Sequence, residues 1–172
     1  YSMWLEAREI ARQAVPGQFV SLYSRDASRL LPRPISICEI TDSGIRFIFD
    51  VRGKGTKRLA EKTVGDTLDI LGPLGNGFAI RKEKALVLGG GIGVYPLFEL
   101  AKQLKTCDVA LGFRTKDLVT LENEFKNQCD NLYIATDDGS LGHHGFVDAL
   151  VKQELEQDSK YDYVLACGPK PM

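Results

Sequence analysis

The sequence lacks the features that mark a metal protein, a membrane protein or a nucleic-acid-binding protein. Its four cysteines, Cys38, Cys107, Cys129 and Cys167, are widely spaced and include no C-x-x-C pair, so we expect no metal site within these residues. No apolar run approaches the roughly 18 residues needed to cross a bilayer, and we expect no signal peptide. The net charge of −1 gives no broad basic surface for nucleic acid or membrane. These absences favour a globular protein in a reducing, cytoplasmic setting.

The sequence also lacks the residue patterns of a hydrolase. It contains no Ser-His-Asp arrangement, and the carboxylates of the neighbouring Asp137 and Asp138 would diverge in an extended loop. His143 and His144 are adjacent and cannot both face one metal ion from a regular element. We therefore expect the two histidines in a loop or at the entry to a helix.

Both ends of the sequence predict a fragment of a longer protein. The chain opens on Tyr1-Ser2-Met3, and it stops at Pro171-Met172 directly after a glycine–proline turn. Because a fold rarely ends at a turn, we expect trimming at both ends.

The first half of the chain predicts short antiparallel strands. Its apolar runs alternate, are rich in β-branched and aromatic residues and are separated by turn residues, which favours a small barrel or sandwich. The runs are 19–23, 35–37, 45–49 and 67–71. One helix is predicted over 56–62, and 72–78 is so rich in glycine that we expect a loop there.

From residue 84 onward, strands and helices alternate, which predicts a parallel sheet with helices on its faces. The predicted strands are 85–88, 108–113, 132–136 and 162–166, and the predicted helices are 95–105, 118–127 and 145–155. Pro96 fits the first turn of its helix, where its missing N–H costs nothing. Residues 79–83 form the predicted linker between two domains, 1–80 and 84–172.

The turn after the first of these strands is almost without side chains. Gly89, Gly90, Gly91, Ile92 and Gly93 bring backbone N–H groups and a helix N-terminus together where a phosphate can approach. The turn does not fit the G-x-G-x-x-G fingerprint, and Val109 and Ala110 stand where its acidic residue is expected, about 20 positions after the first glycine. We predict a phosphate-binding turn of another kind, with tight packing of strand and helix as the alternative.

Two further polar elements are predicted at the carboxyl ends of parallel strands, where ligands bind in open sheets. Asp137 and Asp138 belong to the first, which predicts contact with ribose or nicotinamide as readily as a polar surface turn. Cys167 and Gly168 belong to the second. A small polarisable side chain there suits a ligand ring, and a buried cysteine before a turn is the alternative.

The first half contains two candidate anion sites. Arg33 lies between two prolines that restrain its backbone, which suits a bidentate phosphate contact, and an exposed arginine on a barrel edge is the alternative. Residues 53–56, Gly-Lys-Gly-Thr, precede the predicted helix and offer free N–H groups and a hydroxyl.

The order of these motifs resembles one superfamily. R-P-I-S, G-K-G-T, G-P-L-G-N-G-F, G-G-G-I-G, D-D-G-S and C-G-P follow one another along the chain. Over essentially its whole length the sequence resembles the ferredoxin-reductase superfamily, and within it the electron-transfer subunits of dihydroorotate dehydrogenase B. The resemblance implies a β barrel plus α/β fold, in which an antiparallel flavin-binding barrel (1–80) precedes a parallel-sheet, NAD-binding domain (84–172).

The resemblance implies FAD against the barrel and NAD on the second domain. Arg33 would bind the flavin pyrophosphate, Ser36 would lie near the reactive edge of the isoalloxazine, and Ile35 stands where many reductases have a stacking tyrosine. The other implied FAD residues are Pro34, Ile48, Phe49, Asp50, Gly55 and Thr56. The implied NAD residues are Gly89, Gly90, Gly91, Ile92, Gly93, Asp137, Asp138, Cys167 and Gly168. Asp50 departs from the pattern, because a basic residue is common there, and Ser36 and Cys167 are expected to position ligands only.

The resemblance also implies an electron-transfer subunit in pyrimidine biosynthesis. Electrons would pass from an FMN-containing catalytic subunit, in a heterotetramer, through a [2Fe-2S] cluster and FAD to NAD⁺. Four closely spaced cysteines for the cluster are absent, so we expect them beyond Met172. The alternatives are a stand-alone NAD(P)H-dependent ferredoxin or flavin reductase and a non-catalytic nucleotide-binding module. Arg114 and Lys116 could meet the 2′-phosphate of NADP, whereas the resemblance favours NAD.

Overall fold

The computed structural model describes residues 1–23, 31–157 and 161–169, with 153–157 described by their backbone only. The terminal Pro171 and Met172 lie outside the described residues. The chain divides into two compact units, Tyr1–Phe78 and Ala79–Met172.

The first unit contains two three-stranded antiparallel sheets. Its strands are β1 (Ser2–Glu6), β2 (Phe19–Tyr23), β3 (Arg33–Ser36), β4 (Glu39–Ile40), β5 (Gly44–Ile48) and β6 (Asp69–Leu74), and its helices are α1 (Arg8–Gln13) and α2 (Lys54–Ala60). One sheet has the order β1-β5-β4 and the other has the order β3-β2-β6. The antiparallel architecture predicted for this half of the chain is confirmed.

Alternating side chains of the strands form the core of the first unit. Ile45 and Phe47 of β5 are fully buried, whereas Arg46 between them is partly exposed. Val20 and Leu22 of β2 are buried in the same cluster. Because successive side chains of a strand point to opposite faces, this period of two places one face of each sheet in the core.

The first unit differs from the sequence prediction in several elements. The sequence prediction does not include β1, α1 and β4. In the structure, β1 pairs with β5 so that Met3 lies opposite Phe47. The prediction of a loop over 72–78 is wrong for its first three residues, which belong to β6. Gly72 is tolerated in this strand because its backbone lies against Val20, where a Cβ would approach the Val20 side chain to 2.7 Å.

The second unit is built on a five-stranded sheet of order β10-β9-β8-β7-β11. Its strands pair in parallel, as predicted, and β10 is an addition to the four predicted strands. Its strands are β7 (Ala85–Gly90), β8 (Cys107–Phe113), β9 (Asn131–Thr136), β10 (His143–His144) and β11 (Tyr163–Cys167), and its helices are α3 (Tyr95–Gln103), α4 (Glu122–Lys126) and α5 (Val147–Gln157). Within the described ranges, no helix is both long enough and apolar enough to span a bilayer.

The central strands and α3 supply most of the core of the second unit. Nearly every residue of β7 and β8 is buried, as expected for strands with both neighbours in place and both faces covered. Pro96 lies in the first turn of α3, as predicted. Phe98 of α3 packs edge-to-face on Phe125 of α4, with ring centroids 5.3 Å apart.

Two predictions for the second unit are wrong in part or in full. The helix predicted over 118–127 is confirmed only in α4, because Leu121 adopts a left-handed conformation (φ 60°) and a separate 3-10 helix at Lys116–Leu118 precedes it. His143 and His144 form β10, which pairs with the end of β9, rather than a loop or a helix entry. The pairing partner lies eight residues earlier in the chain, so the local pattern gives no sign of it.

Candidate functional site

The candidate site of the second unit lies at the carboxyl edge of its parallel sheet. β7 ends at Gly90, β8 at Phe113, β9 at Thr136 and β11 at Cys167. In the sheet, β8 lies on one side of β7 and β11 lies on the other. The chain adds β8, β9 and β10 on one side of β7 and then crosses to the other side to form β11. Open α/β sheets form their ligand crevice at such a switch point.

The glycine turn after β7 has an open part and a closely packed part. Gly91 has a φ of 53°, and a Cβ there would meet no atom within 4 Å. Gly93 packs against the chain after β11, where a Cβ would collide with the carbonyl oxygen of Cys167 and approach Gly168 Cα to 2.8 Å. The structure thus brings two predicted elements, 89–93 and 167–168, into contact. Gly89 allows close packing of the strand, since a Cβ at this position would lie 2.9 Å from the Leu111 side chain.

The thiol of Cys167 is a neutral group beside this crevice. Its side chain is partly buried, and burial raises the pKa of the thiol above its ordinary value. A thiol held neutral near pH 7 is neither a base nor a strong nucleophile. Cys107, the first residue of β8, is buried.

Hydrogen bonds connect the loops that follow β8 and β9. The backbone N–H of Lys116 donates to Ser140 Oγ at 2.8 Å. The hydroxyl and the backbone N–H of Ser140 donate to Asp138 Oδ1 at 2.5 and 3.0 Å. These bonds from Ser140 lower the pKa of the Asp138 carboxyl, which is therefore charged at neutral pH.

Thr136, the last residue of β9, stabilises the same turn by hydrogen bonds from its side chain. Its side chain is fully buried, and its hydroxyl donates to the carbonyl of Leu141 at 2.7 Å while accepting the Leu141 N–H at 3.0 Å. Sequence reasoning selected the two aspartates here and missed the roles of Thr136 and Ser140. A signal existed, because hydroxyl side chains commonly bond the nearby backbone in turns.

In the first unit, Arg33 lies against the start of α2. Its Nη1 donates to the carbonyls of Leu31 and Pro32 at 2.9 and 3.2 Å. A Cβ at Gly55, in the first turn of α2, would collide with the guanidinium. The two anion elements predicted separately in this half of the chain, Arg33 and 53–56, are therefore neighbours.

Thr56 fixes the backbone that leads into α2. Its Oγ1 accepts the N–H of Arg52 at 2.9 Å and the N–H of Gly53 at 3.2 Å. The hydroxyl also donates to the Gly53 carbonyl at 3.1 Å. The Thr56 hydroxyl therefore bonds the neighbouring backbone and fixes the start of α2, against which Arg33 lies.

The remaining predicted flavin residues fall into buried and exposed groups. The Phe49 side chain is buried and stacks on Tyr1 with ring centroids 5.9 Å apart, and its backbone N–H and carbonyl are both hydrogen-bonded to the Tyr1 backbone at 3.0 Å. Asp50 is exposed, and its Oδ2 lies 3.5 Å from Nη2 of Arg52, which supplies a basic group beside this position. Ser36 ends β3 opposite Phe19. Pro34 is exposed, and Ile35 and Ile48 are partly buried.

The donor set of the described chain does not form a metal site. Among the described residues, no three His, Cys, Asp or Glu side chains are grouped to hold an ion. The four cysteines are all free thiols. The residues present therefore do not fit a [2Fe-2S] cluster, which needs four grouped thiolates.

The first unit is antiparallel and places Arg33 against the start of α2, and the second is a parallel sheet with a glycine turn at its switch point. Together these features define a ferredoxin reductase-like protein. The solved structure of an NADH-dependent reduced ferredoxin-NADP oxidoreductase is 32% identical, with a TM-score of 0.88 over 99% of this chain and 63% of that chain. A ferredoxin-NADP⁺ reductase of Plasmodium falciparum shares the fold at 13% identity, with a TM-score of 0.77 over 99% of this chain and 79% of that chain.

Curated relatives narrow the class to one family. No family model matches the chain. It is 43% identical to the dihydroorotate dehydrogenase B (NAD(+)), electron transfer subunit of Geobacillus sp. (strain WCH70), with 100% of this chain and 70% of that protein covered. The same subunit of Fusobacterium nucleatum is 41% identical, with 100% and 71% covered. The chain belongs to the family of dihydroorotate dehydrogenase B (NAD⁺) electron transfer subunits.

Proposed function

We propose that this chain passes electrons between FAD and NAD⁺ as the electron-transfer subunit of a NAD-dependent dihydroorotate dehydrogenase. The observation that carries the proposal is the crevice between β7 and β11, in which Gly93 packs on the backbone of Cys167 and Gly168 beside the open Gly91. In a member of this family, such a crevice suits the nicotinamide nucleotide that the relatives' name specifies.

The first unit would hold FAD. Arg33 offers a fork of N–H donors beside the first turn of α2, and glycine at position 55 leaves no side chain between guanidinium and backbone. This arrangement fits an anionic pyrophosphate, since a guanidinium binds phosphate oxygens in pairs. Ser36 would position the isoalloxazine. The other proposed contacts are Pro34, Ile35, Ile48, Phe49, Asp50, Gly55 and Thr56.

The second unit would hold NAD. The turn formed by Gly89, Gly90, Gly91, Ile92 and Gly93 would take the phosphates, because Gly91 presents backbone to open space. Asp137 and Asp138 would lie near a ribose, and Cys167 and Gly168 near the nicotinamide. The neutral thiol of Cys167 suits a residue that touches the ring without exchanging a proton.

Bound FAD and NAD⁺ would supply one- and two-electron chemistry and hydride acceptance, which protein side chains lack. The residues of this chain would bind and orient both groups, and Ser36 and Cys167 would act as positioning residues. No acid or base of the chain is assigned to the reaction.

The same proposal includes an FMN-bearing catalytic partner in a heterotetramer and a cytoplasmic setting. It also includes a [2Fe-2S] cluster, for which the described residues offer no ligand set. The chain spans 70% of the Geobacillus relative, and the remaining part of such subunits is where the proposal locates the cluster.

A second candidate function is a reductase that runs from NAD(P)H to ferredoxin. The observation that favours it is the 32% identity to the NADH-dependent reduced ferredoxin-NADP oxidoreductase. Arg114 and Lys116, after β8, are the residues of this chain that would meet the 2′-phosphate of NADP(H) in that case.

Reconstitution separates the two functions. The full-length subunit, loaded with FAD, is expected to reduce a dye with NADH in preference to NADPH. Mixed with the dihydroorotate-oxidising subunit of the same organism, it is expected to reduce NAD⁺ when dihydroorotate is added. Dye reduction with no coupling to dihydroorotate, but with coupling to reduced ferredoxin, would favour the second function.

The flavin assignment is tested by Arg33→Ala. Losing hydrogen bonds to a charged group costs about 1.5–3 kcal/mol, so the FAD dissociation constant should rise roughly 10- to 150-fold. The readout is the flavin absorbance retained after gel filtration, and excess FAD should restore it. Arg8→Ala is the matched control, since Arg8 is an exposed arginine of the same unit that pairs only with Glu6 in the described structure. Full flavin occupancy in Arg33→Ala would count against this role.

A further inference from the structure

We propose that Ser140 is a positioning residue for the adenosine half of the nicotinamide nucleotide. Its hydroxyl joins the loop after β9 to the loop after β8 at the ligand edge of the sheet. This inference rests on the proposed function, because it deepens the description of the same nucleotide site.

The junction is a chain of three polar groups. Ser140 Oγ accepts the N–H of Lys116 at 2.8 Å and donates to Asp138 Oδ1 at 2.5 Å. Asp138 in turn donates its own N–H to the carbonyl of Arg114 at 3.3 Å. The Ser140 hydroxyl therefore adds a side-chain connection, between residues 24 positions apart in the sequence, to the backbone hydrogen bonds that join the two loops.

The order of the strands places this junction at the adenosine end. The nicotinamide is assigned to the crevice between β7 and β11, and the phosphates are assigned to the turn after β7. In the sheet, β8 and β9 lie on the side of β7 away from β11. A dinucleotide that follows the carboxyl edge from β11 across β7 reaches the loops after β8 and β9 with its adenosine.

The junction also keeps two cations available. In the part of the chain that the structure describes, the side chains of Arg114 and Lys116 have no ion-pair or hydrogen-bond partner. Ser140 bonds Oδ1 of the charged Asp138, and neither cation pairs with this carboxylate in the described structure. Both cations of the loop after β8 are therefore available to an adenosine ribose or its phosphate.

The loop after β8 holds a conformation that local preferences oppose. Leu121 has a φ of 60°, which costs a non-glycine residue about 1–2 kcal/mol. The hydroxyl of Thr120 is buried without a partner among the described residues. Such local costs concentrate at functional sites, where neighbouring structure must hold the segment in place. The bond from Lys116 to Ser140 is a direct restraint on the start of this segment.

Removing the hydroxyl should therefore weaken adenosine binding more than it slows the chemical step. In Ser140→Ala, we expect the KM for NADH to rise about fivefold to tenfold, the effect of losing about 1–1.4 kcal/mol of hydrogen bonding, while kcat falls less than twofold. Ser140→Thr keeps the hydroxyl and should restore most of the affinity. The measurement is NADH-dependent dye reduction by the FAD-loaded protein.

A binding experiment locates the effect on the nucleotide. By calorimetry, the dissociation constant of ADP-ribose should rise by the same factor in Ser140→Ala, while inhibition by nicotinamide mononucleotide should be unchanged. Ser43→Ala is the matched control, since Ser43 is an exposed serine of the first unit whose hydroxyl lies 3.3 Å from Thr41 Oγ1.

Three outcomes overturn the inference, and they differ from a failure of the proposed function. An ADP-ribose affinity within twofold of wild type in Ser140→Ala excludes the role. An equal loss of affinity for nicotinamide mononucleotide would mean that the substitution disturbs the whole site and not the adenosine half. A Ser140→Thr variant that binds ADP-ribose as weakly as Ser140→Ala would mean the same. Wild-type protein that binds ADP-ribose but reduces no dye contradicts the proposed function alone, and the ADP-ribose comparison still decides the role of Ser140.

Discussion

At the residue scale, two glycines of one turn serve different physical ends. Gly91 is required by its backbone, because its φ of 53° lies in the left-handed region that other residues adopt only at a cost. Gly93 is required by its surroundings, because the carbonyl of Cys167 occupies the space of a side chain. A glycine-rich turn in a sequence thus combines conformational and packing requirements that the letters alone do not separate.

Alanine substitutions distinguish these two requirements. Gly91→Ala should lower the free energy of unfolding by about 1 kcal/mol, the cost of a left-handed alanine, since its Cβ meets open space. Gly93→Ala should lower it by about 2–3 kcal/mol or more, because the backbone atoms that its Cβ meets cannot move aside cheaply. Urea denaturation of both variants is the measurement. Equal losses would contradict the packing role of Gly93.

At the element scale, a buried carboxylate holds the amino-terminal ends of the parallel strands together. Asp108 of β8 is fully buried and accepts hydrogen bonds from the Tyr161 hydroxyl at 2.7 Å and from Asn131 of β9 at 3.0 Å. Lys84, just before β7, pairs with it at 3.2 Å. Burial by itself would raise the pKa of Asp108, but the bonds from Tyr161, Asn131 and Lys84 hold it below its ordinary value.

This cluster tethers the edge strand β11, which Tyr161 precedes, to the rest of the sheet. Tyr161→Phe removes a hydrogen bond to a buried charge and should lower the free energy of unfolding at pH 7 by about 1–3 kcal/mol. Because the folded pKa of Asp108 is depressed, its contribution is complete above the unfolded pKa of about 3.9 and is lost as the pH falls through the lower folded value. The cost of Tyr161→Phe should therefore shrink below about pH 4.

A neighbouring tyrosine supplies the control for this prediction. The Tyr163 hydroxyl of β11 bonds only the exposed backbone of Arg81 in the described structure. Tyr163→Phe should therefore change the free energy of unfolding by less than about 0.5 kcal/mol. If the cost of Tyr161→Phe were the same at pH 7 and pH 3, the charge of Asp108 would have no part in the tether.

At the scale of the whole molecule, each of the two compact units has buried hydrophobic clusters of its own among the described residues. The cluster of the first unit includes Val20, Ile45 and Phe47, whereas that of the second includes Leu86 and Ala110. Each core supports a different candidate ligand site. A ligand stabilises the unit that binds it by mass action, so two ligands should act on two unfolding transitions.

The single tryptophan, Trp4, makes this separation measurable, because it lies in the first unit. FAD at about 100 times its dissociation constant should stabilise that unit by about 2.7 kcal/mol and raise the midpoint monitored by Trp4 fluorescence. ADP-ribose should leave this midpoint nearly unchanged. It should raise the midpoint of the other transition, that of the second unit, which circular dichroism detects. A Trp4 midpoint that responded only to ADP-ribose would reverse the assignment of the two sites.

The sequence by itself determined the antiparallel first half, the parallel second half and the position of the glycine turn. These features follow from periodicity and turn chemistry over a few residues, which local sequence encodes. The motifs at strand ends also allowed a correct expectation that 89–93, 137–138 and 167–168 share one edge, because carboxyl ends of parallel strands lie together.

Only the tertiary structure decided which of these residues touch. The packing of Gly93 on Cys167, the bond from Lys116 to Ser140 and the position of Arg33 on Gly55 each join residues far apart in the chain. The strands β1 and β10 exist because β5 and β9 offer them hydrogen-bonding partners. Strand order and register set these contacts, and neither is encoded in a local pattern, because pairing energy arises only when distant segments meet.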